Sequence, residues 1–241
     1  MNMTQHSLQT HSVWIGPKLG LMEKLTLKLL LAVGHSPILW TIGNLEGVPD
    51  NVEVRQVPSH YLQPVRFAGI PLENIQGGGI GSFAHWSDYF AFKTLHEHGG
   101  IWVQMDVAVT KRINSISHAF TTFKNAISPV VMSIPRGSVY AGNMANLLES
   151  MLADGMKGRH WDDAMIAITN GIIRDNVTAY IFKEYFDCGG IPESPYNCPS
   201  PVSYAIIHWS NATHNSSKET PVIGSEYHRL CLAMGLLKLP V

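Results

Sequence analysis

Apolar residues recur at positions 21, 22, 25, 29 and 32, at every third or fourth place, and predict an amphipathic helix over residues 18–33. Short apolar runs on either side, Val13-Trp14-Ile15 and Ile38-Leu39-Trp40, predict strands over 12–15 and 37–41. A further strand is predicted over 52–56, a helix over 87–98 and a strand over 101–104. Between 57 and 86 lies a loop with three prolines and the run Gly77-Gly78-Gly79-Ile80-Gly81. Past the apolar stretch Val107–Ile113, the run Ala126–Ile134 predicts another strand. Apolar positions 144, 147, 148, 151 and 152 predict a helix over Ala141–Met156, and a second follows over Asp162–Ile173. Residues 187–204, rich in Pro, Cys, Gly and Ser, read as a long loop, Ser203–Trp209 as a strand, 210–220 as a mobile polar loop and 224–237 as a closing helix. Strand and helix alternate through the first half, so the expected fold class is α/β, with a mainly parallel central sheet flanked by helices. No repeat or linker interrupts the chain. One domain is expected over 1–241, with a polar leader, 1–12, that is disordered.

The octet Gly99-Gly100-Ile101-Trp102-Val103-Gln104-Met105-Asp106 joins several of these signals. A glycine pair stops the helix, with Ser87 predicted as its N-cap and Gly99 as its C-terminal stop. Three apolar residues make a buried strand, and Asp106 emerges where that strand ends. Strand ends of open α/β sheets are where ligands bind. An acid at that point is placed to hold a divalent cation that neutralises a phosphate-bearing substrate. The glycine run at 77–81 reads either as a phosphate cradle or as a flexible connector, because its spacing fits neither a P-loop nor a dinucleotide fingerprint.

Composition narrows the function classes. The chain has 241 residues, 45% hydrophobic and 15% charged, with a formal net charge of −1. With no basic stretch, electrostatic binding of nucleic acid is not expected. The cysteines are Cys188, Cys198 and Cys231; an odd count argues against a closed disulfide framework and for reduced thiols, with a Cys188–Cys198 bridge left open. The Leu-rich segment at 19–33 carries too many charges, and is too short, to span a bilayer. The first residues lack an apolar signal region, so a cytoplasmic location is expected, and the sequons at Asn211 and Asn215 carry little weight.

The run Ser87-Asp88-Tyr89-Phe90, then Leu95, then Gly99 to Val107, resembles the sugar-binding region of GT-A glycosyltransferases with a DXD motif. These are the capsular-polysaccharide and mannosyl- or galactosyl-transferase-like enzymes, with a pattern near S-D-x-x-R, then L-x-x-x-G-G-x-[WY]-[VL]-D-x-D-V. Gln104 stands where that pattern has its first Asp, and Ala91 where it has its Arg. Shorter likenesses run in order from 13 to 234: Val13-Trp14-Ile15-Gly16, Gly34-His35, Leu39-Trp40-Thr41, Val48-Pro49, Val52-Glu53-Val54, Ala205-Ile206-Ile207-His208-Trp209 and Ile223-Gly224-Ser225-Glu226-Tyr227.

The resemblance implies a GT-A-like nucleotide-sugar-binding domain and a metal-dependent hexosyltransferase. Its donor would be a nucleotide sugar, UDP-linked, and its acceptor a glycan or glycoconjugate, with retention of configuration, in bacterial or viral surface-glycan synthesis. Asp106 and His208 would hold Mn²⁺ or Mg²⁺, the imidazole tilting the preference to Mn²⁺. Trp14, Ile15 and Gly16 would contact the nucleotide, and Gln104 a ribose hydroxyl or a metal-bound water. Asp88 would bind the hydroxyls of the donor sugar; a first-turn acid favoured by the helix dipole, by ~0.3–1 kcal/mol, is the plain reading. Asp163, opening a helix after Trp161, is either a cap or an acceptor-side residue, and with Asp88 it forms the candidate catalytic pair. The departures at Gln104 and Ala91 motivate an alternative, a protein that binds nucleotide or glycan without transfer. A metal-dependent phosphohydrolase ranks third, since it would want a denser acidic cluster.

Overall fold

A computed structural model of the chain describes residues 8–63, 83–114, 117–123, 126–154, 163–187, 205–209, 219–221 and 223–238. The elements are β1 (Gln9–Trp14), α1 (Leu21–Ala32), β2 (Ser36–Thr41), β3 (Glu53–Gln56), a 3₁₀ turn (Ser59–Leu62), α2 (Phe83–His98), β4 (Gly100–Val103), β5 (Val107–Val109), β6 (Ala119–Phe123), β7 (Ala126–Ile134), α3 (Val139–Ala153), α4 (Asp163–Arg174), β8 (Tyr180–Ile181), β9 (Tyr185–Asp187), β10 (Ile206–His208) and α5 (Glu226–Ala233).

The main sheet runs β3-β2-β1-β4-β7-β6-β8. Strands β3, β2, β1 and β4 are neighbours in that order and all parallel, and β8 runs parallel to β6, so the sheet is mostly parallel as expected. Strand β7, however, pairs antiparallel with both β4 and β6. In a second sheet, β5-β10-β9, β10 lies within the strand expected over Ser203–Trp209, while the three-residue β9 was not expected and β5 lies in the apolar stretch Val107–Ile113.

The period-two alternation of strand side chains sorts the core onto two faces. Ile38, Trp40, Trp102, Met132 and Ile134 join the aromatic cluster built by α2, α3 and α4. There Trp86 stacks on Phe90 at 5.2 Å, and Phe90 meets the edges of Trp40 at 5.6 Å and Trp102 at 6.2 Å. Ile101, Val103 and Val131 face the other way, onto Val107, Val109 and Ile206 of the small sheet. Helices α1 and α5 close that second layer through Leu25, Leu29, Tyr227 and Cys231, packed on Ile207 and Trp209.

Four sequence expectations need correction or bounding. The leader ends by residue 8: β1 begins at Gln9 and buries Thr10, His11 and Ser12. Polar residues hid that strand from an apolar reading, but Ser12 Oγ donates to Val103 O at 2.7 Å and Trp40 Nε1 to His11 Nδ1 at 3.3 Å. Ser87 is not an N-cap. Helix α2 starts at Phe83, and Ser87 Oγ donates back to Ala84 O at 2.7 Å, a bond made inside a helix. Asp88 therefore sits in the second turn, beyond the strongest reach of the helix dipole. Residues 1–7, the glycine run at 77–81, Asp162, Cys188, Cys198, Asn211 and Asn215 lie outside the described residues. Cys231 is a free, buried thiol. No helix among the described residues is long and apolar enough to cross a membrane.

Gly99 ends α2 as expected, its N–H bonding to Leu95 O, with φ at +69°, and Gly100 continues at φ +98°. A Cβ on Gly100 would stand 2.7 Å from Gln9 O of the neighbouring strand, and one on Gly99 2.6 Å from Arg136 N. Backbone atoms cannot move aside as a side-chain tip can. Gly100→Ala is expected to lose at least about 1–2 kcal/mol from the left-handed conformation alone, with the clash added. Urea unfolding of the variant checks it; an unchanged midpoint would refute the constraint.

Candidate functional site

The site grows from the end of β4. Four successive residues there have their main chain held by four different parts of the molecule. Val103 O accepts from Ser12 Oγ of β1 at 2.7 Å, and Gln104 N donates to Val130 O of β7 at 2.9 Å. Met105 O accepts from Thr26 Oγ1 of α1 at 3.0 Å, and Asp106 O accepts from Trp209 N at 3.0 Å. The chain then turns into β5, whose antiparallel partner β10 sets His208 opposite Val107.

That register brings the two residues predicted as metal ligands together across 102 positions of sequence. His208 Nε2 lies 3.4 Å from Asp106 Oδ2, with side chains 11% and 18% exposed. On the other edge of the ring, Tyr185 Oη of β9 lies 3.2 Å from His208 Nδ1. The tyrosine and imidazole rings are nearly parallel, 24° apart at 6.5 Å between centroids. Sequence reasoning missed Tyr185: it lies 23 residues ahead of His208, in a strand too short to show a pattern. Among the described residues no group of three or more His, Cys, Asp or Glu is placed to hold a metal. The Asp106–His208 pair supplies one oxygen and one nitrogen donor. Adjacent donors on an octahedral cation, with bonds of about 2.1 Å, stand about 3.0 Å apart, so the pair would close slightly to share one. The mixed oxygen–nitrogen set suits Mn²⁺ and allows Mg²⁺.

The predicted nucleotide turn is a self-closed structure. Trp14 Nε1 donates to Lys18 O at 3.0 Å, and its ring packs with Leu19, Leu27, Leu39 and Met105. A Cβ on Gly16 would meet Trp14 Nε1 at 3.2 Å, so the glycine lets the indole fold over the turn. Ile15 packs against the aromatic cluster of the α2 face. Met105 thus connects the Trp14 turn to the site, while Gln104 next to it is half-buried.

Asp88 lies on α2 and is buried there. It is 8% exposed, and burial pushes its carboxyl from 3.8 up to about 8. A carboxyl in that range keeps its proton at neutral pH and can donate as well as accept a hydrogen bond. Asp163, at the start of α4, lies close enough to His85 of α2 for its charge to favour the imidazolium, against a burial effect that pulls the His85 pKa down. His85 was not singled out in the sequence; its spacing one turn before Asp88 was the available signal. Ala91, where the resemblance led us to expect an Arg, is fully buried in the aromatic cluster. An Arg there would put a charge into an apolar core.

No protein-family model matches the chain, and no curated protein matches it. Among solved structures it is similar to "PaToxG Glycosyltransferase", at 15% identity over 70% of this chain and 69% of that one, with a TM-score of 0.53. It is also similar to the UDP-bound glycosyltransferase domain from the YGT toxin, at 9% identity over 71% of this chain and 68% of that one, with a TM-score of 0.44. The ligand-free form of the YGT domain gives 10% identity over 96% and 79%, at 0.45. The α/β architecture, with its mostly parallel sheet flanked by helices, is thus one shared with a glycosyltransferase.

The burial of Asp88 has a measurable consequence. Between its ordinary 3.8 and about 8 the folded chain keeps a proton that the unfolded chain has released. The folded state then binds more protons, so this group lowers stability as pH rises through the window. Asp88→Asn has no proton to lose. The variant is expected to match the wild type near the acid end of the window and to exceed it in melting temperature by a margin that widens toward pH 8. Paired melting curves across the window check this, and a constant margin would show that Asp88 ionises normally.

Proposed function

We propose that the protein is a glycosyltransferase that takes a sugar from a nucleotide sugar, UDP-linked, to a glycan or glycoconjugate acceptor with the help of Mn²⁺ or Mg²⁺. The observation that carries the reading is the Asp106–His208 pair at 3.4 Å on the end of a central strand, in a fold shared with a glycosyltransferase. The DXD-like pattern around Gly99–Val107 supports the same reading, with Gln104 in place of the first acid.

In this reading Asp106 and His208 hold the cation, which as a Lewis acid stabilises the departing diphosphate. Trp14, Ile15 and Gly16 take the nucleotide, and Gln104 takes a ribose hydroxyl or a water on the cation. Asp88, protonated and buried, binds a sugar hydroxyl with donor and acceptor together. Asp163, beside His85, serves the acceptor side. The setting is cytoplasmic synthesis of surface glycan or glycoconjugate, with retention of configuration.

A second reading is favoured by one observation: the position of the family's Arg is a core alanine, Ala91, fully buried. With that cation and the first acid both absent, the chain is a protein that binds nucleotide sugar without transferring it. Both readings share the metal and nucleotide site, and turnover separates them.

A thermal-shift series of nucleotide sugars with and without Mn²⁺ tests the site. Ligand at 100 times its dissociation constant adds about 2.7 kcal/mol of apparent stability. Asp106→Ala is expected to abolish the Mn²⁺-dependent part of UDP affinity while the protein still melts cooperatively; calorimetry showing unchanged affinity would remove Asp106 from the site. Gln104→Asp adds a charge beside the cation, worth up to ~4 kcal/mol at 4 Å before the ion's solvation offsets it. It is expected to tighten Mn²⁺ binding several-fold in the presence of UDP. In the transferase reading turnover rises with it, and in the binding reading transfer stays undetectable. Mn²⁺ affinity unmoved by this change would mean that Gln104 does not face the cation.

A further inference from the structure

We propose that His11 and His35 form an acid-sensitive clasp on β1, holding that strand in place only while both imidazoles are neutral. Each side chain is buried, and each accepts a hydrogen bond through one ring nitrogen. Trp40 Nε1 of β2 donates to His11 Nδ1 at 3.3 Å. Ile113 N, in the chain that follows β5, donates to His35 Nε2 at 3.1 Å, which leaves Nδ1–H to face Leu8 O at 3.4 Å, at the entrance to β1. An imidazolium has no lone pair and donates from both nitrogens. Charging either ring therefore sets two donors against each other and breaks the bond that it accepts.

The surroundings oppose the charge as well. The rings of His11, Trp40 and His98 lie within 29° of parallel, with centroids 6.4 Å apart for His11–Trp40, 5.8 Å for His11–His98 and 5.6 Å for Trp40–His98. Arg55 of β3 stands over the Trp40 ring at 5.5 Å. His98, at the end of α2, and Arg55 both disfavour an imidazolium at His11. The Gly99 carbonyl and Glu53, which is itself paired with Arg55, favour it less strongly. The residue beside His11 on β4 is Trp102, which is uncharged. Burial is the largest effect, and the His11 pKa falls from 6.5 to about 4. Burial lowers the His35 pKa too, opposed by the Leu8 carbonyl and supported by Arg112.

The clasp bears on the strand that orders the candidate site. Strand β1 lies between β2 and β4, and its Ser12 holds Val103 O. Below 6.5 the unfolded chain takes up protons that the folded histidines refuse, down to about 4 for His11. Stability from the clasp is thus complete above 6.5 and is lost as pH falls through that window. For His11 the unfolding constant rises by up to about tenfold per pH unit. Asp88 acts in the opposite direction over the same range, so the difference between variant and wild type at each pH isolates the clasp.

His11→Asn and His35→Gln each put an amide oxygen near the lost acceptor nitrogen and do not titrate. Unfolding constants of wild type and variants are measured in urea from pH 7.5 to 4.5, and the His11 and His35 ring signals of the wild type are followed by NMR over the same range. Both variants are expected to be less stable than the wild type at pH 7.5. The gap is expected to shrink below 6.5, by up to about tenfold per pH unit for His11→Asn. The wild-type rings are expected to stay neutral until the fold is lost. A gap independent of pH in either variant, or a ring that charges near 6.5 with the fold intact, would overturn the clasp. Should neither variant fold, the wild-type ring titration decides alone.

Discussion

The main chain of residues 103–106 is held in place by four elements at once, and the geometry of the whole site follows from that. Ser12, Val130, Thr26 and Trp209 each bond one successive residue. They come from β1, β7, α1 and the residue after β10, which are remote in sequence and meet only at this strand end. A turn so held cannot shift to suit its side chains. Asp106 is therefore aimed by the scaffold, and His208 reaches it because Trp209 is bonded to the same residue. Rigid support of this kind is what a ligand site needs if its donors are to keep their spacing.

The corner before that strand imposes a second constraint. Gly99 and Gly100, both at positive φ, carry the chain from α2 into β4 within contact distance of Gln9 and Arg136. The tight corner lays α2 along the sheet, where its aromatic residues form the main cluster with Trp40 and Trp102. One strand thus serves both layers: Trp102 faces the aromatic cluster, while Ile101 and Val103 face the small sheet that holds His208.

The two acids assigned to the proposed site sit in contrasting environments. Asp106 faces an imidazole with a tyrosine behind it. Burial raises the Asp88 carboxyl to about 8, so it keeps its proton at neutral pH. Environments that push carboxyl groups apart in this way mark sites where each takes a different chemical role. In the proposed function Asp106 would hold a cation and Asp88 would meet an uncharged, hydroxyl-bearing ligand. Neither property belongs to an aspartate as such; each follows from what the fold packs around it.

Much of the fold was legible because it rests on local patterns. The 3.6-residue period marked α1 and α3, the apolar runs marked β2, β4 and β7, and the glycine pair marked the corner before β4. The strand-end position of Asp106 followed from those signals alone, and the pairing with His208 from a resemblance. Other features left no local trace. Strand β1 is polar and was read in part as leader, and helix α2 begins before the Ser87-Asp88 signal that looked like its start. The antiparallel direction of β7, the pairing of β10 with β5 and β9 into a small sheet and the place of Tyr185 depend on which segments meet. The burial that keeps Asp88 protonated likewise depends on packing around it rather than on its neighbours in the chain. Periodicity and turn chemistry act over a few residues and are written in the sequence. Register, strand direction and the surroundings of a charge are set by contacts between distant residues, and only the folded chain brings those together.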